Sequence, residues 1–326
     1  MTDQYKQFIE TIGIPVKEQE ELASYTTYKV GGPADLFVEA RTTRDIIDAV
    51  TMARVCTIPF FILGGGSNIL IGDKGFRGLV IKNMTKTITV RGMKGAITKG
   101  ISDGSVYVEA ESGVPFNNLV RYTIEEGLQG LEMHLGLPGS VGGALFMNSK
   151  WTRPPACVGD VVYQATLLTP TGEVKAVSPE YFHFSYGSSG LQKSGDIVLS
   201  VIFALKRSNK EALWMVANES ISYRKDTQPQ GVKTAGCVFK NISLVEAVSA
   251  GTPDHTTSAG YLIDNAGCKN FSVGDAAVSP VHANFIVNTG KATSHDMIQL
   301  IDQIKEQVRA KFGVALVEEV LRVGDF

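Results

Sequence analysis

The sequence predicts an α+β protein with two ligand-holding lobes and a further domain behind them. Three observations carry this prediction. The chain has 326 residues, more than one hydrophobic core usually organises. Its first part alternates strand and helix patterns. Two glycine-rich stretches lie in otherwise apolar sequence: residues 60–70, Phe-Phe-Ile-Leu-Gly-Gly-Gly-Ser-Asn-Ile-Leu, and residues 137–148, Leu-Pro-Gly-Ser-Val-Gly-Gly-Ala-Leu-Phe-Met-Asn.

Taking the chain in order, residues 3–12 have a helical look, with Tyr5, Phe8 and Ile9 on one side. Residues 34–40 read as a strand. Thr42 or Thr43 caps a helix whose stripe is Ile46, Ile47, Val50 and Ala53, with Asp45 near the positive end of the helix dipole. Residues 58–63 form a short buried strand that runs into Gly64-Gly65-Gly66-Ser67-Asn68. Residues 75–78 are expected to turn before a strand at 79–82. Residues 84–104 are less apolar and predict loops or edge strands. Residues 105–111 alternate as a strand, and Asn117 or Asn118 starts a helix that Gly127 stops.

Beyond the second glycine stretch, residues 161–169 and 174–177 flank Pro170-Thr171-Gly172, a hairpin pattern. Residues 196–205 are a strong buried strand, and the polar run 206–210 marks a domain boundary. A helix is expected over 210–224 and a tight turn into a short strand over 235–241. Ser258 caps a helix at 259–265, and 283–287 is a strand. Thr293 or Ser294 caps a long helix that ends at Phe312-Gly313, before a last strand at 314–323. The expected division is 1–83 and 84–208 as two lobes and 209–313 as a separate domain, with the C-terminal strand within 314–326 returning to the first lobe.

Composition narrows the function classes. Hydrophobic residues make up 44% and charged residues 20% of the chain, as in ordinary soluble proteins. A net charge of −2, with 31 spread basic residues, predicts neither a nucleic-acid nor a membrane partner. The N-terminus lacks the apolar core of a signal peptide, and no apolar run approaches the roughly 20 residues of a spanning helix. The cysteines Cys56, Cys157, Cys237 and Cys268 show no CxxC spacing. That predicts a reducing, cytoplasmic setting and no metal site.

Glycines so placed let backbone approach a ligand closely and aim several N–H groups at one spot, which suits a phosphate or diphosphate. The common nucleotide motifs do not explain them. Residues 69–73 make a poor helix start for a Rossmann fingerprint, and Gly290-Lys291-Ala292-Thr293 lacks the upstream glycine of a Walker A loop.

The order of motifs resembles the UDP-N-acetylenolpyruvoylglucosamine reductases, or UDP-N-acetylmuramate dehydrogenases, of bacterial peptidoglycan synthesis. Seven stretches match in register from Thr26 to Gly324: Thr26-Thr27-Tyr28-Lys29-Val30-Gly31-Gly32-Pro33-Ala34, then 63–70, 137–148, 235–241, 259–269, 278–288 and 316–324. The resemblance implies an FAD-binding two-lobed fold of the vanillyl-alcohol-oxidase type and a C-terminal α+β substrate domain. It implies non-covalent FAD, with Leu63, Gly64, Gly65, Gly66, Ser67, Asn68, Pro138, Gly139, Ser140, Gly142 and Gly143 around its diphosphate. His134 and His282 are read as packed histidines. NADPH is the implied co-substrate, and a UDP-sugar carrying an enolpyruvyl group is the implied substrate of a monomer or weak oligomer.

Cys237 stands where the family places a proton-donating serine or cysteine, and a thiol is the stronger acid. Glu319 occupies the glutamate position of the closing Leu-x-x-Glu-Val signature, with Glu318 as the register alternative. Asn241 and Lys269 match positions that contact the substrate diphosphate, and Tyr186 a substrate-binding tyrosine. Two departures stand out. Gly187 replaces the arginine that normally follows the tyrosine, and residues 149–155 replace the usual Gly-Ala-Tyr-Gly turn after Asn148. A compensating cation would come from Lys150, Arg153, Lys193 or Arg224. Two other readings remain at this stage: a paralogue that binds FAD or a UDP-sugar without turnover, and a flavin oxidoreductase acting on another substrate.

Overall fold

The computed structural model describes residues 2–94, 97–98, 101–102 and 104–326. They pack as two compact units. One comprises Met1–Lys17, Phe37–Gly65 and Leu79–Arg224; the other comprises Glu18–Leu36, Gly66–Gly78 and Lys225–Phe326. The strands Pro33–Ala40 and Phe76–Asn83 each begin in the second unit and continue into the first. The polar run 206–210 is therefore not where the units part. Lys206 and Arg207 complete the strand Ile197–Arg207.

In the first unit, Thr42 caps the helix Thr43–Val55 in a reciprocal box with Asp45, which satisfies donors that the first helical turn leaves open. Strand Phe60–Leu63 follows and pairs in parallel with the later part of Phe76–Asn83, Phe60 opposite Leu79 and Leu63 opposite Lys82. The rest is an antiparallel sheet in the order Val174–Val177, Val162–Leu168, Ile197–Arg207, Ser105–Glu111, Ile88–Lys94. Ser105–Glu111 alternates, burying Val106, Val108 and Ala110. Helix Phe116–Glu125 lays Phe116, Leu119, Val120 and Ile124 on that core. Each fully buried side chain of this size contributes about 1.5–3 kcal/mol of transfer free energy.

In the second unit, Leu321–Val323 pairs in parallel with Ile69–Ile71. A small sheet runs Ser272–Val273, Ala276–Val278, Ile286–Asn288. Helix Ser294–Phe312 buries Met297, Leu300, Ile301, Ile304 and Val308, the spacing of one helix face. Thr293 and Asp296 box its start, and the Asp73 carboxylate accepts the N–H groups of Ser294 and His295 at 2.7 and 3.1 Å. Negative charge is favoured there by the helix dipole.

Several expectations need correction. The strand expected at 79–82 already begins at Phe76. The helix expected from Asn117 or Asn118 starts at Phe116 after Pro115, because the Asn117 amide oxygen instead accepts the Gly136 N–H at 2.6 Å. Residues 137–148 are not all loop, since Ser140 caps a helix at Val141–Phe146. Residues 235–241 form no strand; only isolated bridges hold Cys237 to Phe285 and Phe239 to Glu318. The last strand is reduced to Leu321–Val323. Helix Leu244–Ser249 was not expected, because its Leu244, Val245 and Val248 are exposed and give no inward stripe. Within the weakly apolar stretch 84–104, Ile88–Lys94 is a full strand of the sheet.

His134 is packed, as its apolar surroundings predicted. It is 1% exposed, meets the Phe116 ring edge-on with centroids 6.0 Å apart, and neither ring nitrogen has a hydrogen-bond partner. Burial, reinforced by the Arg224 charge, pushes it down to about 4 from an ordinary 6.5. A histidine held neutral in this way lends its full stability above pH 6.5 and loses it as pH falls toward 4. The slope from one such group approaches about 1.4 kcal/mol per pH unit. Denaturant titrations across this window should show the slope in the wild-type chain and lose it in His134→Phe. Equal slopes in both proteins would show that the histidine is not held neutral.

Candidate active site

The first glycine segment leaves strand Phe60–Leu63, whose Leu63 is buried in the core. A Cβ on Gly64 would come within 2.4 Å of the Ser140 hydroxyl, and one on Gly65 within 2.5 Å of the Gly139 Cα. The two glycine segments therefore touch through backbone, at a distance that side chains would forbid. Lys82, half-buried in an apolar strand, donates to the Gly64 carbonyl, and burial holds its amine below the usual lysine range. Sequence reading missed this lysine; its one signal was a lone charge closing a buried strand.

Among the described residues, the N–H groups of Gly64, Gly65, Gly66, Ser67 and Asn68, and those of Gly139 and Ser140, donate no hydrogen bond within the protein. Gly66 is buried. Unmade bonds of this kind cost about 1–3 kcal/mol each when water is excluded, so the free donors of Gly64, Gly65, Gly139 and Ser140, which meet within the first unit, fit an anionic acceptor. Gly142 and Gly143 play another part. The Gly142 N–H goes to the Ser112 carbonyl at 2.8 Å, and the Gly143 N–H to the Ser140 hydroxyl at 3.3 Å. Pro138 precedes Gly139, whose φ of +108° suits glycine.

In the second unit the structure brings Asn68, Cys237 and Glu319 together. The Glu319 N–H donates to the Val238 carbonyl at 2.7 Å, directly after Cys237, and the Lys240 N–H donates to the Val317 carbonyl at 2.9 Å. The Asn68 side chain donates to the Glu319 carbonyl at 3.1 Å, while the Asn68 carbonyl accepts from Leu321 at 3.0 Å. Asn284, 3% exposed, clamps the other side of residues 238–239. Its amide accepts from the Phe239 N–H at 2.9 Å and donates to the Phe239 carbonyl at 2.8 Å, and its own carbonyl accepts the Val238 N–H at 2.8 Å. His282 Nδ1 accepts the Asn284 N–H at 3.2 Å, a packing role. Asn284 also went unnoticed in the sequence, since a buried asparagine has no pattern of its own.

The adjacent glutamates divide clearly. Burial would raise Glu318, but hydrogen bonds from Arg322 and Lys305 outweigh it and hold its carboxyl below the usual range. Those contacts are 2.7 and 2.9 Å to Arg322 and 2.5 Å to Lys305. Glu319 has no such partners. Burial raises its carboxyl, and the Lys240 charge offsets that only in part. Of the two, Glu319 is the one whose surroundings favour the protonated form.

The remaining expected residues are placed as follows. The Asn241 amide oxygen accepts the Ala259 N–H at 3.0 Å, at the start of helix Ala259–Asn265, and Lys269 pairs with Asp264 at 2.7 Å near its end. Tyr186 belongs to the first unit, on a tight turn in which Ser185 and Ser188 exchange backbone hydrogen bonds, and it is 44% exposed.

Comparison with known proteins fits this layout. Residues 34–178 match an FAD-binding domain. The fold resembles that of a VAO-type flavoprotein from Myceliophthora thermophila, with a TM-score of 0.53 at 12% identity over 97% of this chain and 79% of that one. The backbone donors suit the diphosphate of FAD without a positive side chain. The protein is an FAD-dependent oxidoreductase.

Residues 228–323 match the C-terminal domain of UDP-N-acetylenolpyruvoylglucosamine reductase. The chain is 35% identical to the reductase of that name from Halalkalibacterium halodurans, over 95% of both chains. It is also 35% identical to the one from Heliobacterium modesticaldum, over 94% of this chain and 90% of that one. The crystal structure of the Thermus caldophilus enzyme aligns with a TM-score of 0.74 at 31% identity, over 95% of this chain and 98% of that one. The chain belongs to the UDP-N-acetylenolpyruvoylglucosamine reductase family.

Two variants test the site geometry. In Gly65→Ala the new methyl meets the Gly139 backbone, so the purified protein should retain less flavin, read as the ratio of visible to ultraviolet absorbance. In Glu319→Gln no buried carboxylate remains to ionise. Because burial raises the Glu319 carboxyl, the wild-type chain loses stability as pH rises through that value and the variant does not. Their difference in melting temperature should widen from pH 5 to pH 9 in favour of the variant.

Proposed function

We propose that the chain reduces the enolpyruvyl ether of UDP-N-acetylglucosamine enolpyruvate to the lactyl ether of UDP-N-acetylmuramate, with NADPH as reductant. The reaction serves peptidoglycan precursor synthesis, and its nucleotide-linked reactants are cytoplasmic. The observation that carries this reading is the backbone bond from Glu319 to Val238. It sets a carboxyl raised by burial beside the segment bearing the Cys237 thiol.

Bound FAD would supply the hydride transfer from NADPH to the methylene carbon of the enolpyruvyl group. The neighbouring carbon must then receive a proton, and Cys237 is its donor. Glu319, whose carboxyl is raised by burial, stabilises the charge that develops on the carboxylate side of the same group. Asn68 and Asn284 hold the backbone on which both groups stand. Asn241 and Lys269 are assigned to the substrate diphosphate, where phosphate oxygens would compete with Asp264 for the Lys269 ammonium. Residues 34–178 carry the flavin and residues 228–323 the UDP-sugar.

One observation favours a second reading. Gly187 offers no cation where relatives of this type carry arginine, so a chain that binds its ligands without turning them over would look similar here. The Cys237 and Glu319 pairing argues against it, because binding alone needs no proton donor.

Steady-state NADPH oxidation with and without UDP-N-acetylglucosamine enolpyruvate decides between these readings. Substrate-stimulated oxidation with formation of UDP-N-acetylmuramate is expected; a yellow protein without stimulation supports the second. Cys237→Ala should keep flavin reduction by NADPH while product formation falls by about 100-fold or more, the usual range for a lost general acid. Loss of both half-reactions would contradict the proton-donor role.

A further inference from the structure

Most of the stretch 149–155, which the family resemblance marks as a departure, lies in a two-stranded hairpin. Lys150–Thr152 pairs with Pro155–Cys157, Lys150 opposite Cys157 and Trp151 opposite Ala156. Neighbouring residues of a strand point to opposite faces, and here the faces have separate uses. Trp151, 4% exposed, meets the Tyr223 ring edge-on with centroids 5.7 Å apart, and the Arg224 guanidinium lies 4.7 Å from the Trp151 ring. Arg153, at the hairpin turn, sits 4.9 Å over Tyr223. Both arginines are thus held on aromatic rings of that side. Lys193 lies in the short helix Leu191–Ser194 and, among the described residues, stacks on no aromatic ring.

Lys150 points the other way. Its ammonium lies 5.2 Å over the Tyr186 ring, and it forms no ion pair with any described residue. The partner ring is equally fixed. The Asn148 amide donates to the Ser185 carbonyl at 3.1 Å and accepts the Gly159 N–H at 2.9 Å, so one buried side chain joins the end of the glycine segment, the Tyr186 turn and the far end of the hairpin. An exposed lysine on a hairpin strand, over an exposed phenol and with no acid paired to it among the described residues, is open to a carboxylate.

We propose that Lys150, acting with Tyr186, is the cation that binds the carboxylate of the substrate in this chain. The inference rests on the reading that the ligand is a UDP-sugar bearing a carboxylate on its three-carbon ether. The hairpin then supplies, from a different place in the sequence, the positive charge that Gly187 lacks. Lysine serves as a point charge where arginine would form a fork, so the site tolerates more than one carboxylate orientation.

The test is calorimetric titration of the FAD-loaded protein with two probes, UDP-N-acetylmuramate, which has the carboxylate, and UDP-N-acetylglucosamine, which does not. The wild-type chain should prefer the first by about tenfold or more at low salt, the size of one charge-assisted contact. Lys150→Ala should erase that preference, and Lys150→Arg should keep it. Melting temperature and flavin reduction by NADPH should be unchanged in both variants. A preference that survives in Lys150→Ala, or is absent from the wild-type chain, overturns the proposal. If wild-type preference depends on Lys150 but the substrate does not stimulate NADPH oxidation, the carboxylate site stands and the reductase reading falls.

Discussion

Gly64 and Gly65 approach Ser140 and Gly139 more closely than any side chain permits, and much of the first unit follows from that contact. A methyl group at either glycine would overlap the facing segment by roughly an ångström. Because the backbones touch, N–H groups from two distant stretches stay clustered and unpaired among the described residues. The Ser140 hydroxyl caps its own short helix while standing at this contact. Asn148, at the end of the same stretch, anchors the Tyr186 turn. The unpaired donors and the placing of Tyr186 thus share one stretch of chain.

The second unit solves a different problem, pushing the carboxyls of two adjacent glutamates in opposite directions. Glu318 and Glu319 share a chain direction and differ in company. Two cations hold Glu318 ionised at the edge of helix Ser294–Phe312, while half-buried Glu319 has, among the described residues, Lys240 alone to moderate it. A shift of register by one residue would exchange these environments. The backbone bonds from Glu319 to Val238 and from Lys240 to Val317 prevent that slip, so the same bonds that shape the loop also decide which carboxyl is acidic.

Much of the fold was legible in the sequence where local chemistry acts alone. Thr42 and Asp45, Ser258, and Thr293 with Asp296 announced three helix starts, and Gly313 announced an end. The failures have tertiary causes. Residues 314–323 and 235–241 are extended and apolar, yet they pair mainly with each other and with Asn284, so most of their length joins no regular ladder. Asn117 looked like a cap and serves the Gly136 N–H instead. At the candidate site, residue types and order pointed to Cys237, Glu319 and the glycines. The choice between Glu318 and Glu319 required Lys305 and Arg322, which reach Glu318 only through folding. The choice of Lys150 over Arg153, Lys193 and Arg224 likewise depends on which aromatic ring each one meets.

The Asn284 clamp has a consequence for how this chemistry can change over evolutionary time. A single side-chain amide takes the place of a neighbouring strand for Phe239, binding both its N–H and its carbonyl. The loop is therefore rigid without membership of a sheet, and its shape is set by main-chain atoms and by a residue far away in sequence. None of these bonds from Asn284 runs through the side chain at 237. On the proposed role of Cys237, a lineage could exchange thiol for hydroxyl there and retune the acidity of that group while the Asn284 clamp on the loop stays in place.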